Sequence, residues 1–296
     1  MLKRLTFFLS SLLVLSACAT PAAPPARDNT PAAPAAGPQN PVAPDADGSN
    51  PATPNASAQT LVETARSALQ SREYAKAIAA AQEAVGVDPA SSSTHYILGN
   101  AFNQAGGSEG DPAKRSDYFT KAIAAYQKAI SINGANGDAR HNLGTVYLQL
   151  GQIDNARAQF EAALKTDPND GKTHYMLGTI YLQDDPARSP QSLTRAESEF
   201  LTALSLDAKL AEAYVGLAQV FLSKGDPAKA LENAKKGVDL SAPNVDPFSY
   251  WQLAQAQCAT GDKAGGSATL QKVIAAGVPD PNFNQEVQRL AASCRG

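Results

Sequence analysis

Apolar and small residues recur along most of this chain at helical spacing, and the pattern restarts about every 34 residues. It is clearest from Gly137. Leu143, Gly144 and Tyr147 fall on one helical face, and Gly151 interrupts it. Ala156, Phe160 and Ala163 make a second face, which ends at Asp167-Pro168 because proline disfavours helix at the residue before it. Each such stretch predicts two short helices joined by a tight turn, with small residues where the helices approach one another.

The same ruler fits the rest of the chain from Ala58 onward. Units start near residues 58, 92, 137, 171, 211 and 247, and most keep the small and aromatic residues in step. The unit from Ser92 carries eleven extra residues around Gly107–Asp117, and the unit from Gly171 carries six around Asp185–Pro190. Both insertions are expected as extended loops between paired helices, with Gly106-Gly107 in the first. The last unit matches weakly in its second half, where Gly266 replaces the usual alanine. Phe283, Val287 and Leu290 predict a closing amphipathic helix over residues 281–296. Six copies in register resemble the tetratricopeptide repeat (TPR) family. The resemblance implies an all-α, right-handed solenoid of about six helix-turn-helix units plus a C-terminal capping helix, spanning 58–280 and 281–296. One unit cannot bury its apolar stripe alone, and stacking provides a continuous core.

The chain before residue 58 has a different character. Lys3 and Arg4 precede an apolar run, Leu5–Leu15, of secretory length and too short to span a bilayer. It ends in Leu15-Ser16-Ala17-Cys18, which resembles the bacterial lipobox. That resemblance implies a signal peptide over 1–17, lipidation of Cys18, and a bacterial membrane lipoprotein on the exported side. With Ala19 after the cysteine, it implies the outer membrane if the host has one. Residues 18–57 are rich in proline and alanine, show no hydrophobic periodicity, and read as a disordered tether.

Composition narrows the chemistry. A formal charge of -3 gives no sign of nucleic-acid binding, and the three cysteines lack metal-ligand spacing. Two of the three histidines share a context, Thr94-His95-Tyr96 and Thr173-His174-Tyr175. Both fall at the fourth position of their units, two units apart, so they are expected to pack between helices and not to share a metal. No phosphate loop, nucleophile elbow or zinc motif is present, so no catalytic residue, cofactor or metal is assigned.

In the family, the first helix of each unit lines the concave face. Carrying its contact positions across by register implies a partner-binding face of Tyr96, Asn100, Asn103, His141, Thr145, Tyr175, Thr179, Gln219, Trp251 and Gln255. Tyrosines are expected to face this groove and the two packing histidines to face away from it. Trp251 fits the groove or the packing between units. Arg66 and Lys172 are too far apart in the register for a carboxylate clamp. Cys258 lies late in the last unit and Cys294 late in the capping helix, so an exported domain could pair them or leave two free thiols. The expected function is a membrane-anchored scaffold for envelope proteins or extended peptide segments. The alternatives are an enzyme or small-molecule binder with a site beside the inserted loops, or a spacer without a ligand.

Overall fold

A computed structural model describes residues 56–184 and 191–295. Within them the chain forms thirteen helices and no strand. They are α1 (Ala56–Gln70), α2 (Tyr74–Val87), α3 (Ser92–Ser108), α4 (Pro112–Ile132), α5 (Gly137–Gln149), α6 (Ile153–Thr166) and α7 (Gly171–Gln183). There follow α8 (Ser192–Leu206), α9 (Ala211–Ser223), α10 (Pro227–Ser241), α11 (Pro247–Ala259), α12 (Lys263–Ala275) and α13 (Pro281–Arg295). Odd-numbered and even-numbered helices pair from α1/α2 to α11/α12, and α13 closes the stack.

The ends of the helices follow from local chemistry. Asp111, Asn136, Asp170, Asp226, Asp246 and Asp262 cap α4, α5, α7, α10, α11 and α12, each side chain accepting from a backbone N–H of the first turn. Pro112, Pro227 and Pro247 stand where the missing N–H costs nothing. The turns inside the third, fifth and sixth units use a left-handed residue, and Gly151, Gly225 and Gly261 supply it with φ of 71°, 76° and 88°. The first unit places Arg72 there instead, at φ 59°.

In the first five units the core is built from one recurring contact whose two sides vary together. In the three middle units an aromatic ring on the second helix, Tyr126, Phe160 or Phe200, is fully buried. It lies over Gly99, Gly144 or Gly178 on the first helix, so close that a Cβ there would meet the ring at 2.5, 2.8 or 2.7 Å. The flanking units use alanine on both sides, as Ala65 with Ala81 and Ala218 with Ala234, all fully buried. Large against none and small against small fill the same interhelical space.

The extended loop expected at Gly107–Asp117 is absent. Instead α3 runs 17 residues to Ser108 and α4 starts at Pro112 and runs 21 residues. Gly106 is helical and lies against the Phe119 ring, 2.8 Å from where its Cβ would be, so that only glycine fits there. Phe102 and Tyr118 pack with ring centroids 6.3 Å apart, so the added turns bury apolar surface. The second insertion falls mostly in 185–190, outside the described residues, and Ser192–Thr194 already belong to α8.

First helices of successive units approach one another, as α1 with α3, α7 with α9 and α9 with α11, more closely than the second helices do. The stack therefore curves with its first helices inside. Cys18 and the segment before residue 56 lie outside the described residues.

Candidate functional site

The inner face gathers the candidate residues into three places. At the N-terminal end, α3, α4 and α5 share an amide-phenol network. The Tyr126 hydroxyl donates to Asn100 Oδ1 at 2.7 Å, and Asn142 Nδ2 donates to the same oxygen at 2.8 Å and to the Tyr96 hydroxyl at 3.3 Å. The rings of Tyr96 and Tyr126 lie 6.2 Å apart. Burial pushes the Tyr126 phenol well above its ordinary pKa, with Tyr96 adding to the shift and hydrogen bonds from Asn103 and Asn142 opposing it. Asn103 Oδ1 is buried and has no hydrogen-bond partner.

In the middle, the turns before α5, α7 and α9 enclose an open cavity of about 750 Å³ lined by Asp138, His141, Asn142, Asp167, Asp170, Lys172 and Asp207, among others. Its surplus of carboxylates favours cationic groups. His141 Nδ1 lies 2.6 Å from Thr173 Oγ1 and 3.6 Å from Asp170 Oδ2, and its ring meets Phe160 edge-on at 5.4 Å. Burial lowers the His141 pKa below its ordinary value of 6.5, partly countered by Asp170.

The other two histidines do not enter this cavity. His95 Nε2 donates to the Pro89 carbonyl at 3.0 Å, and His174 Nε2 donates to the Pro168 carbonyl at 3.1 Å. Each fastens a helix start to the turn that closed the preceding unit. His174 also reaches across to α8, with Nδ1 2.6 Å from Glu199 Oε2. Among the described residues, no group of three or more His, Cys, Asp or Glu side chains could hold a metal.

At the C-terminal end, Gln219 of α9 and Trp251 and Gln255 of α11 line a second cavity of about 580 Å³, walled by Leu290 and Ser293 of α13. Trp251 is buried, with its ring 5.5 Å from Phe248 and 5.8 Å from Phe283, so it is a core anchor for the cap more than an open groove residue. Cys258 and Cys294 are disulfide-bonded with Cα atoms 5.6 Å apart, joining α11 to the cap. Gly266 has no side chain because a Cβ would strike both sulfurs, Cys294 Sγ at 3.0 Å. The glycine that weakens the repeat pattern makes room for the bridge.

The remaining candidates are less open. Tyr175 is half-buried, with its ring 5.9 Å from Phe200. Burial pushes its phenol far up, and Glu212 adds to the shift. Thr145 and Thr179 donate their hydroxyls back to the His141 and Tyr175 carbonyls, at 3.1 and 3.0 Å.

Sequence profiles of the tetratricopeptide repeat match residues 62–139, 117–184 and 211–244, together more than half of the chain. The chain belongs to the tetratricopeptide repeat family. Solved structures similar to it include PilF of Pseudomonas aeruginosa, at 15% identity and a TM-score of 0.65, over 79% of this chain and 97% of that one. PilW, described as a widely conserved type IV pilus biogenesis factor, matches at 16% identity and a TM-score of 0.62, over 79% and 99%. The Cut9–Hcn1 complex matches at 16% and 0.63, over 80% of this chain and 42% of that one. Such identities establish a shared fold. No curated protein sequence matches the chain.

As a TPR protein, the chain is a protein-interaction scaffold of helical repeats. Its sequence left three site residues unread. Tyr126 sits on a second helix, where rings usually only pack, and Asn142 and Gln252 stand at the sixth position of their units, next to the expected contact position. A polar residue at a position held by Ile97 and Met176 in two of the other units was the available signal.

Proposed function

We propose that this TPR protein is a lipid-anchored, non-catalytic scaffold that binds extended segments of envelope proteins along its inner face. The amide-phenol network of Tyr96, Asn100, Tyr126 and Asn142 carries the reading, with the buried Asn103 Oδ1 left without a partner beside it. Side chains held this way are ordered before a ligand arrives, and amides and phenols suit the main chain of an extended peptide. The lipobox-like Leu15-Ser16-Ala17-Cys18 supports the anchor, and the proline-rich stretch after it supports a tether that holds the repeats off the membrane. Similarity in fold to PilF and PilW makes pilus assembly one pathway to examine first.

Two measurements test this. Palmitate labelling and membrane fractionation should both be lost in Cys18→Ser, and a membrane-bound, unlabelled wild-type chain would refute lipidation. A photo-crosslinking residue at Asn103 or Thr179 should capture a small, shared set of envelope proteins in cells, and one at Glu232, exposed on α10, should not. Equal capture from both faces would refute binding on the inner face.

A further inference from the structure

The C-terminal cavity contains a polar group with nothing to bond. Gln252 is fully buried, and both its Nε2 and its Oε1 lack a hydrogen-bond partner. An amide left in that state is costly, which is why buried polar groups are almost always paired. Register shows what is missing. Asn142 occupies the same position in the unit that starts at Gly137, where its amide is taken up by Tyr96 and Asn100 of the preceding unit. The residues that correspond to those partners, one unit before Gln252, are Val215 and Gln219. Val215 offers no polar atom, and Gln219 lines the cavity without bonding Gln252.

The rest of the cavity has a consistent chemistry. Its walls are Gln219, Leu222, Ser223, Trp251, Gln255 and the cap residues Leu290 and Ser293, together with Ala259 and Cys258. None carries a charge, so neither a carboxylate nor an ammonium would find a counter-ion there. A volume of about 580 Å³ lies within the range of small-ligand sites. A primary amide presents one acceptor and two donors side by side, which matches the N–H and C=O of a peptide group.

We infer that this cavity is a subsite for an uncharged peptide segment of a partner protein, whose backbone amide pairs with Gln252 while small apolar side chains lie on Trp251, Leu222 and Leu290. The inference rests on the scaffold reading and adds a fixed anchoring point to it. The Cys258–Cys294 disulfide holds the cap that forms one wall, so an intact bridge is part of the subsite.

Trp251 is the chain's single tryptophan, and it reports on the cavity directly. The oxidised full chain is titrated with acetyl-tetra-alanine-N-methylamide, following Trp251 emission and the side-chain amide resonances of Asn and Gln. A saturable emission change should appear, with the Gln252, Gln219 and Gln255 amides shifting together. Gln252→Leu, close in volume, should weaken binding at least tenfold while the helical spectrum and unfolding midpoint hold or rise. Gln255→Ala, half-exposed at the rim, provides the second variant if Gln252→Leu does not fold, and should weaken binding several-fold. Reduction of the disulfide should weaken binding as well. No change at Trp251, or an equal response in Gln252→Leu, would overturn the subsite. Shifts confined to Asn100, Asn103 and Asn142 would overturn the subsite while leaving the inner-face reading standing. No shift at either place would count against both.

Discussion

The pairing of ring and glycine in the core makes a prediction whose sign depends on context. In Gly144→Ala the new methyl falls 2.8 to 3.0 Å from three carbons of the Phe160 ring. Phe160 is fully buried, so the ring cannot swing into solvent to make room. Overpacking of this kind costs ~2 kcal/mol. Alanine in place of a helical glycine returns ~1 kcal/mol, so the net loss is ~1 kcal/mol. Phe160→Ala alone should cost ~3–5 kcal/mol, through lost burial and the cavity left behind. In that background the space over Gly144 is empty. Gly144→Ala should then stabilise by ~1 kcal/mol or more, recreating the pairing of Ala65 with Ala81 and of Ala218 with Ala234. Urea unfolding of the oxidised chain, followed by circular dichroism for all four members of the cycle, measures the coupling, expected at ~2 kcal/mol. The same effect of Gly144→Ala in both backgrounds would refute the packing argument.

Other consequences can be checked in the same way. Closing the 36-residue separation between Cys258 and Cys294 should contribute ~3–4 kcal/mol on the chain-entropy account, so Cys294→Ser should lower the midpoint, and two alkylatable thiols in the protein purified without reductant would refute the bridge. Gly266→Ala should destabilise the oxidised protein more than the reduced one, because its clash is with the two sulfurs. Arg72→Gly should stabilise by ~1 kcal/mol by relieving a left-handed backbone, seen as a higher unfolding midpoint. His141 has a depressed folded-state pKa, so its contribution to stability is fully present above 6.5 and is lost as the pH falls through the folded value. Stability should therefore decline in mild acid, and His141→Gln should flatten that part of the profile measured by thermal unfolding.

The repeat architecture was legible because it is written locally. Helical spacing, a breaker at the turns and a proline after most pairs need no knowledge of distant residues. The insertion in the second unit shows the limit. Its length was plain, but whether it looped out depended on Phe102, Tyr118 and Phe119 finding one another across α3 and α4. Asp111-Pro112 is a helix start in its own right, with the Asp111 side chain capping α4.

By itself the sequence determined the period, the number of paired helices, the closing amphipathic segment and the lipobox-like pattern Leu15-Ser16-Ala17-Cys18, since each is a one-dimensional pattern of residue type. It also placed His95 and His174 in equivalent positions without saying what they bond. Only the tertiary structure decided that each fastens a turn through a proline carbonyl, that Gly266 yields space to a disulfide, and that Gln252 lies buried with its amide unpaired where Asn142 finds two partners. Those outcomes depend on which side chains meet across unit boundaries. Such meetings are set by the curvature and stacking of the whole array, which no single repeat encodes.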